Sequence, residues 1–426
     1  MASGKLSLLS SQARVQSPWI KVQIGEYTFG VFDRKTKSAA KNNENFYSSY
    51  NIQYPSYVNS LSIVKINGQV NQYTLQLSYP VKIGDDPNFF EKVFSSVSNT
   101  RKIVFSYGDA SMPSYVYKDE EAIITKVTQS FNISSSVISY TVEATSSSVV
   151  GKTGAFTFVN TGKKRPSEEI WRVFRSPEYG LQKLFPGMTP KNFWSLVEGG
   201  DKEVELTTKT NISPLDYIIY LVSCMVPDSS TTNNRSSEIY LLTIHDESVY
   251  DKLYSDTASA GGPYFKISKA STITQQSDAY VIDIGYNTST IVTSFSIEKN
   301  ENFSLYYDYN AELYPEQYVR RLNNKGQWED VYAPMFTSGN DKYKTRPEDI
   351  SWYTKVTKYP ISASVTIQGL LRPANLMQYV RLNVIFPGGN KHISSGLYII
   401  TKQVDVIDSN GYRTTLSLAK IAGDTN

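Results

Sequence analysis

Few residues in this chain are of a type and spacing that could do chemistry. Asp119-Glu120-Glu121 and Asp246-Glu247 are its acidic clusters of note. Carboxylate-pair catalysis needs two such groups held about 5–9 Å apart across a substrate. Each cluster also falls where a polar turn meets a strand pattern, and charge runs of this kind are ordinarily solvated faces. The expectation for Asp119 to Glu121 is therefore a solvated turn. His245 stands directly before Asp246, an order in which a carboxylate can orient a base. No Gly-x-Ser-x-Gly elbow accompanies it, and it reads as a loop histidine. His392, the second of two histidines, falls in a Gly-Gly-Asn-Lys turn. Cys224 is the single cysteine, which excludes a disulfide within the chain and a multi-cysteine metal site. Its apolar surroundings read as a small buried hydrophobe. Gly108-Asp109 and the Pro-Gly-Gly at 387–389 read as turns, because neither opens a helix to cradle phosphate. Lys163-Lys164-Arg165 reads as a linker. No catalytic, cofactor-binding or metal-binding residue is assigned, and the expectation is a protein that is not an enzyme and carries no cofactor.

Composition points to a β-rich, soluble class made without secretion. The 426 residues carry 43 basic and 40 acidic side chains, a net charge of +3, so no broad electrostatic grip on nucleic acid or anionic lipid is expected. Tyrosine, at 32 residues against 18 phenylalanines, favours half-wet pleated surfaces and interfaces. No apolar run approaches the roughly 18 residues of a membrane span, and the first residues read without a signal peptide.

The elements are mostly strands. Ile20, Val22 and Ile24 alternate on one face of an opening strand. Residues 33–51 are polar and read as a long loop. Two alternating runs flank Asn67-Gly68, a hairpin signal. Pro87, early acids and apolar residues at helical spacing predict a short helix over 86–94. Strands are predicted at 101–107, 115–128 and 137–144, then again from 361 to 420. Between them the pattern turns helical: Ser167 is the expected N-cap of one helix, with Glu168 and Glu169 in its first turn, and Ser213-Pro214 starts the clearest one.

Parts of the chain recur. Ile-Ile-Thr-Lys stands at 123–126 and at 399–402, each time in a strand, turn, strand context. Residues 57–63 (Tyr-Val-Asn-Ser-Leu-Ser-Ile) match 291–297 (Ile-Val-Thr-Ser-Phe-Ser-Ile), and Val22 to Gly25 has a looser counterpart ending at Gly285. The order is kept, with a longer polar stretch at 306–359 in the second copy, read as a loop insertion. This predicts an internal duplication: a first β-barrel domain at 1–158, a helical middle domain at 159–228 and a second β-barrel domain at 229–426.

With these pieces in order, the chain resembles the baseplate hub proteins of phage tails and related contractile injection systems. The residues that carry the resemblance are Ala363-Ser-Val-Thr-Ile-Gln-Gly369, Tyr379-Val-Arg-Leu-Asn-Val-Ile385, Ser395-Gly-Leu-Tyr-Ile-Ile400 and Thr414-Thr-Leu-Ser-Leu418, with the helical middle around Lys164 and Ser213. The resemblance implies a mainly β fold of two domains similar to the tail-tube protein joined by a helical domain. It further implies a homotrimeric, pseudo-sixfold ring that adapts the hexameric tail tube to a threefold spike or tip protein, among other baseplate proteins. DNA would be passing cargo only, without membrane insertion, and the setting would be the virion tail, made in the host cytoplasm. A β-rich adhesin or carbohydrate-binding protein is the alternative, since Tyr and Asn in β loops also suit sugars. The scarcity of histidine and paired acids weighs against a wall hydrolase.

Overall fold

The computed structural model describes residues 18–32, 52–55, 57–96, 101–109, 116–132, 134–225, 240–245, 263–269, 280–285, 292–299, 318–322, 328–332, 361–368, 376 and 379–423. Residues 33–51, the Asp246-Glu247 pair and most of 306–359 lie outside these. The protein is mainly β with a small helical part.

The first half begins with β1 (Pro18–Ile24) and β2 (Tyr27–Phe32), followed by β3 (Tyr54–Pro55), β4 (Val58–Ile66) and β5 (Gln72–Pro80). After α1 (Phe89–Ser96) come β6 (Lys102–Asp109), β7 (Val116–Asn132) and β8 (Val137–Ser146). The helical middle holds β9 (Phe156–Phe158), β10 (Lys163–Lys164), α2 (Pro166–Arg175), α3 (Leu181–Leu184), α4 (Phe193–Leu196), β11 (Val204–Glu205), β12 (Lys209–Ile212) and α5 (Pro214–Cys224). The remainder comprises β13 (Tyr240–His245), β14 (Tyr264–Lys269), β15 (Tyr280–Gly285), β16 (Val292–Lys299), β17 (Tyr318–Leu322) and β18 (Trp328–Tyr332). It ends with β19 (Ile361–Gln368), β20 (Tyr379–Ile385), β21 (Gly396–Asp408) and β22 (Gly411–Gly423).

One sheet runs through both halves, in the order β16-β19-β22-β21-β4-β5-β8-β7-β6-β1-β2-β3, with β20 on β21 and β15 on β20. The first half contributes the order β4-β5-β8-β7-β6-β1 and the second β16-β19-β22-β21-β20-β15, the same connectivity written twice. The sixth strand marks the difference: β1 lies antiparallel to β6, whereas β15 lies parallel to β20. The halves are joined by antiparallel pairing of β4 with β21, Leu61 opposite Ile407 and Lys65 opposite Gln403.

The repeated residues sit at equivalent irregularities. In both Ile-Ile-Thr-Lys segments the ladder skips the threonine, between Ile124 and Lys126 and between Ile400 and Lys402. The extra residue of a bulge leaves the ladder, and here its hydroxyl takes up a carbonyl of the neighbouring strand. Thr125 Oγ1 donates to Glu143 O at 3.0 Å and Thr401 Oγ1 to Ser417 O at 3.1 Å. A second pair of bulges falls at Asn59 and Thr293, each one residue after the start of β4 and β16.

Alternation puts the apolar residues of these strands on one face. Ile20, Val22, Leu61, Ile63, Leu75, Phe105 and Val142 form the first core, over which α1 lays Phe90 and Val93. Val365, Ile367, Val380, Leu382, Tyr398 and Leu416 form a second core. The middle has its own, built from α2 (Ile170, Val173, Phe174), α5 (Leu215, Ile218, Leu221) and the β13–β14 hairpin.

Two local expectations need correction. Ser167 does not cap α2: Arg165 is the N-cap residue without a side-chain bond, and the Ser167 N–H donates to Asp201 Oδ2 at 2.9 Å. A remote carboxylate thus satisfies an orphan donor of the first turn. Within the polar stretch read as a loop insertion, β17 and β18 pair antiparallel as a hairpin. At α5 the Ser213 cap holds, its Oγ accepting from Asp216 N at 3.1 Å.

Candidate functional site

Among the described residues the sheet face opposite the cores is an extended, ordered surface. Strand register places its residues in rows across the molecule. One row runs Ser296, Ser364, Ser417 and Lys402 through β16, β19, β22 and β21. Across the junction it continues as Ile66. Another row runs Ser294, Thr366, Thr415, Val404 and Val64, and thence to Gln72 and Thr145. Thr366 and Thr415 join their hydroxyls at 2.9 Å. In the first half Ser62 pairs with Thr74 and Glu143 follows; Ser60, Gln76 and Thr141 form the next row. Period-two alternation makes this inevitable once the other face is committed to burial. Hydroxyls and amides dominate this face, and no aromatic ring stands in these rows, because the Tyr and Phe of the same strands point into the cores. Ion pairs on it include Lys126 to Glu143 at 3.1 Å and Arg413 to Asp408 at 2.5 Å. Such a wall is mostly hydrophilic, with Val64, Ile66, Val404 and Val406 grouped where the two halves join.

On the core side, the seam between the halves is polar and sealed. Lys65 Nζ lies 3.1 Å from Glu120 Oε1, and both side chains are almost fully buried. Tyr73 donates its hydroxyl to Glu120 Oε2 at 2.8 Å and Tyr107 to Oε1 at 3.2 Å. From the second half, Asp405 accepts from Thr414 Oγ1 and from Gln403 Nε2, each at 2.6 Å. Burial pushes the Asp405 carboxyl above its ordinary range, against the pull of Thr414, Lys65, Gln403 and Tyr412. One buried cation serves two buried carboxyl groups, so keeping one of them protonated lowers the desolvation cost. The network knits residues far apart in sequence and can hold the two halves in register.

Among the described residues the chemistry-bearing side chains do not converge. Glu120, expected in a solvated turn, is fully buried within β7, while its neighbour Glu121 is half exposed and pairs with Lys102 at 2.5 Å. The burial was missed because its partners, Lys65, Tyr73 and Tyr107, come from three other strands. His245, read as a loop residue, ends β13 buried, its ring stacked on Tyr264 at 4.6 Å and bonded through Nε2 to Thr243 Oγ1 at 2.8 Å. His392 lies in its turn with Nδ1 2.6 Å from Ser394 Oγ. Cys224 is buried in the last turn of α5. In the middle region Glu169 is gripped by Arg172, Nε to Oε2 at 2.9 Å and Nη2 to Oε1 at 2.6 Å. Burial opposes its ionisation, but Arg172, Lys164 and Tyr217 hold the Glu169 carboxyl below the ordinary range. Among the described residues no group of three or more His, Cys, Asp or Glu side chains is placed to hold a metal.

No family model and no curated protein matches the chain. Among solved structures, a tail protein from Neisseria meningitidis is similar at a TM-score of 0.49 and 7% identity, with 95% of this chain and 97% of that one covered. The 43 kDa tail protein of prophage MuSo2 from Shewanella oneidensis gives 0.47 and 11%, covering 96% and 100%. An Escherichia coli component of the type VI secretion system, described as structurally similar to the T4 bacteriophage tail proteins gp27 and gp5, gives 0.45 and 9%, covering 88% and 78%.

Proposed function

We propose that this chain is a structural hub protein of a phage tail, which assembles as a homotrimer into a pseudo-sixfold ring around a passage for DNA. The observation that carries this reading is the sheet: one β-order written twice in one chain, with polar rows that hold no aromatic ring from β16 through β8 on the same side in both halves. Three chains bring six similar halves, the number needed to meet a hexameric tube on one rim, while three chains meet a threefold spike on the other. In this reading the Ser, Thr and Gln rows line the passage. DNA moves past a wall that neither binds it through a basic field nor holds it by stacking on aromatics. The apolar cores and α1 face outward. The sealed Lys65–Glu120–Asp405 seam keeps adjacent halves at a fixed angle. The partners are the tail-tube ring, a spike or tip protein and neighbouring baseplate proteins.

Solution mass tests the reading. The expected result is a particle of three times the 47.9 kDa chain mass, or one formed when tail-tube rings are added. A monomer at all concentrations that instead binds glycans would overturn it in favour of an adhesin.

A further inference from the structure

The seam between β4 and β21 has an unfilled counterpart. In the second half β21 continues past its threonine bulge as residues 402–408, and β4 lies along its outer edge. In the first half β7 continues past the equivalent bulge as residues 126–132. β6 leaves β7 at Ile123, and among the described residues no strand lies along the outer edge of 126–132. The counterpart of β4 is β16, which pairs with β19 on one side and with no described strand on the other.

We infer that β16 of one chain pairs antiparallel with residues 126–132 of β7 in a second copy, repeating between chains the join that β4 and β21 make within one. The repeat offsets fix the register. Position 61 corresponds to 295 and 63 to 297, while 407 corresponds to 131 and 405 to 129. The internal pairs Leu61–Ile407 and Ile63–Asp405 therefore become Phe295–Phe131 and Ile297–Gln129, with Ser296 opposite Ser130. Exposure points to the same edges. Phe131 is 65% exposed, Val127 39% and Ile297 36%, although all three lie on the core face of the sheet; Ile407 and Ile63, the internal equivalents of Phe131 and Ile297, are 1% and 0% exposed. A long edge strand that exposes large apolar side chains on its core face invites a partner strand. Because the contact is head to tail, β16 of each chain meets β7 of the next, and it closes into a ring or runs on as a filament.

This inference rests on the ring reading above but is separable from it. The test is the full chain with two cysteines, Ser130→Cys and Ser296→Cys, oxidised gently and run under denaturing, non-reducing conditions. The control is Lys126→Cys with Ser296→Cys, displaced four residues, or about 13 Å, from the inferred partner, beyond disulfide reach. The expected result is a cross-linked ladder ending at three chains for the first pair and none for the control. Phe131→Asp in the otherwise unaltered chain should weaken association on the order of tenfold or more, the size of a lost interface anchor, with the far-ultraviolet spectrum unchanged. A trimer that forms by mass but does not cross-link at 130 and 296, or that cross-links equally in the control, overturns this inference and leaves the ring reading standing. A ladder running beyond three chains supports the strand pairing and removes the trimer. A chain that never associates removes both.

Discussion

Residues 402–408 of β21 and 126–132 of β7 leave the same Ile-Ile-Thr-Lys bulge and then meet opposite fates. The first run is covered by β4, so Gln403, Asp405 and Ile407 are sealed from water; the second projects Val127 and Phe131 into solvent. The local backbone solution is identical, down to the threonine hydroxyl on the neighbouring carbonyl. What differs is whether a second strand arrives. The bulge thus sets a strand's direction, while burial is decided by a neighbour that in one case belongs to the same chain. The covered seam is polar, carrying Lys65, Glu120 and Asp405, where the open run of β7 presents Val127, Gln129 and Phe131.

The sharpest way to break this comparison is at the seam. Lys65→Met removes the cation beside the buried Glu120 and should cost about 3–5 kcal/mol, the range for stripping one partner from a buried pair, measured by urea denaturation. Next, Ile407→Ala should cost about 2–5 kcal/mol as a core truncation. The equivalent Phe131→Ala should stay within about 0.5 kcal/mol in the dissociated chain and lower only association. Equal losses at 407 and 131 would mean that the two strand runs are not in the different environments described. Thr401→Val and Thr125→Val should each cost about 1 kcal/mol, one hydrogen bond, and by similar amounts, since the hydroxyls do the same work. The last difference is one of slope. Burial raises the folded Asp405 pKa above its unfolded value near 3.9, so the folded state holds the extra proton and stability is lost as pH rises from about 4 through the folded pKa. Asp405→Asn should match the wild type at low pH and gain on it as pH rises through that window, in paired unfolding curves. A gap that widens toward acid instead would reverse the sign.

Much of the strand set was legible because it rests on local rules. Alternation over residues 361–367 marked Ala363, Val365 and Ile367 as buried, and they are. Asn67-Gly68 sits in the β4–β5 connection with Gly68 at φ +71°, and the Asp408–Gly411 turn joins β21 to β22. The threonine of the repeated tetrapeptide was visible as a repeat, though not as a bulge, since a skipped residue appears only against its partner strand. Non-local pairing hid the rest. Glu120 looked solvated because nothing nearby in sequence announces Lys65, 55 residues earlier. Asp201 caps α2 from 34 residues away, and Ser167 looked like the better cap because it was adjacent. The parallel β15–β20 pairing, against antiparallel β1–β6, likewise has no local signature.

The central claim, that the two halves of one chain act as equivalent segments of a closed ring, is tested most directly by electron microscopy of the purified full-length protein. Unsymmetrised class averages viewed down the axis should show six similar lobes around an open centre, alternating in pairs because each chain supplies two. Averages with twofold symmetry, or isolated two-lobed particles at every concentration and with tail-tube rings present, would contradict it.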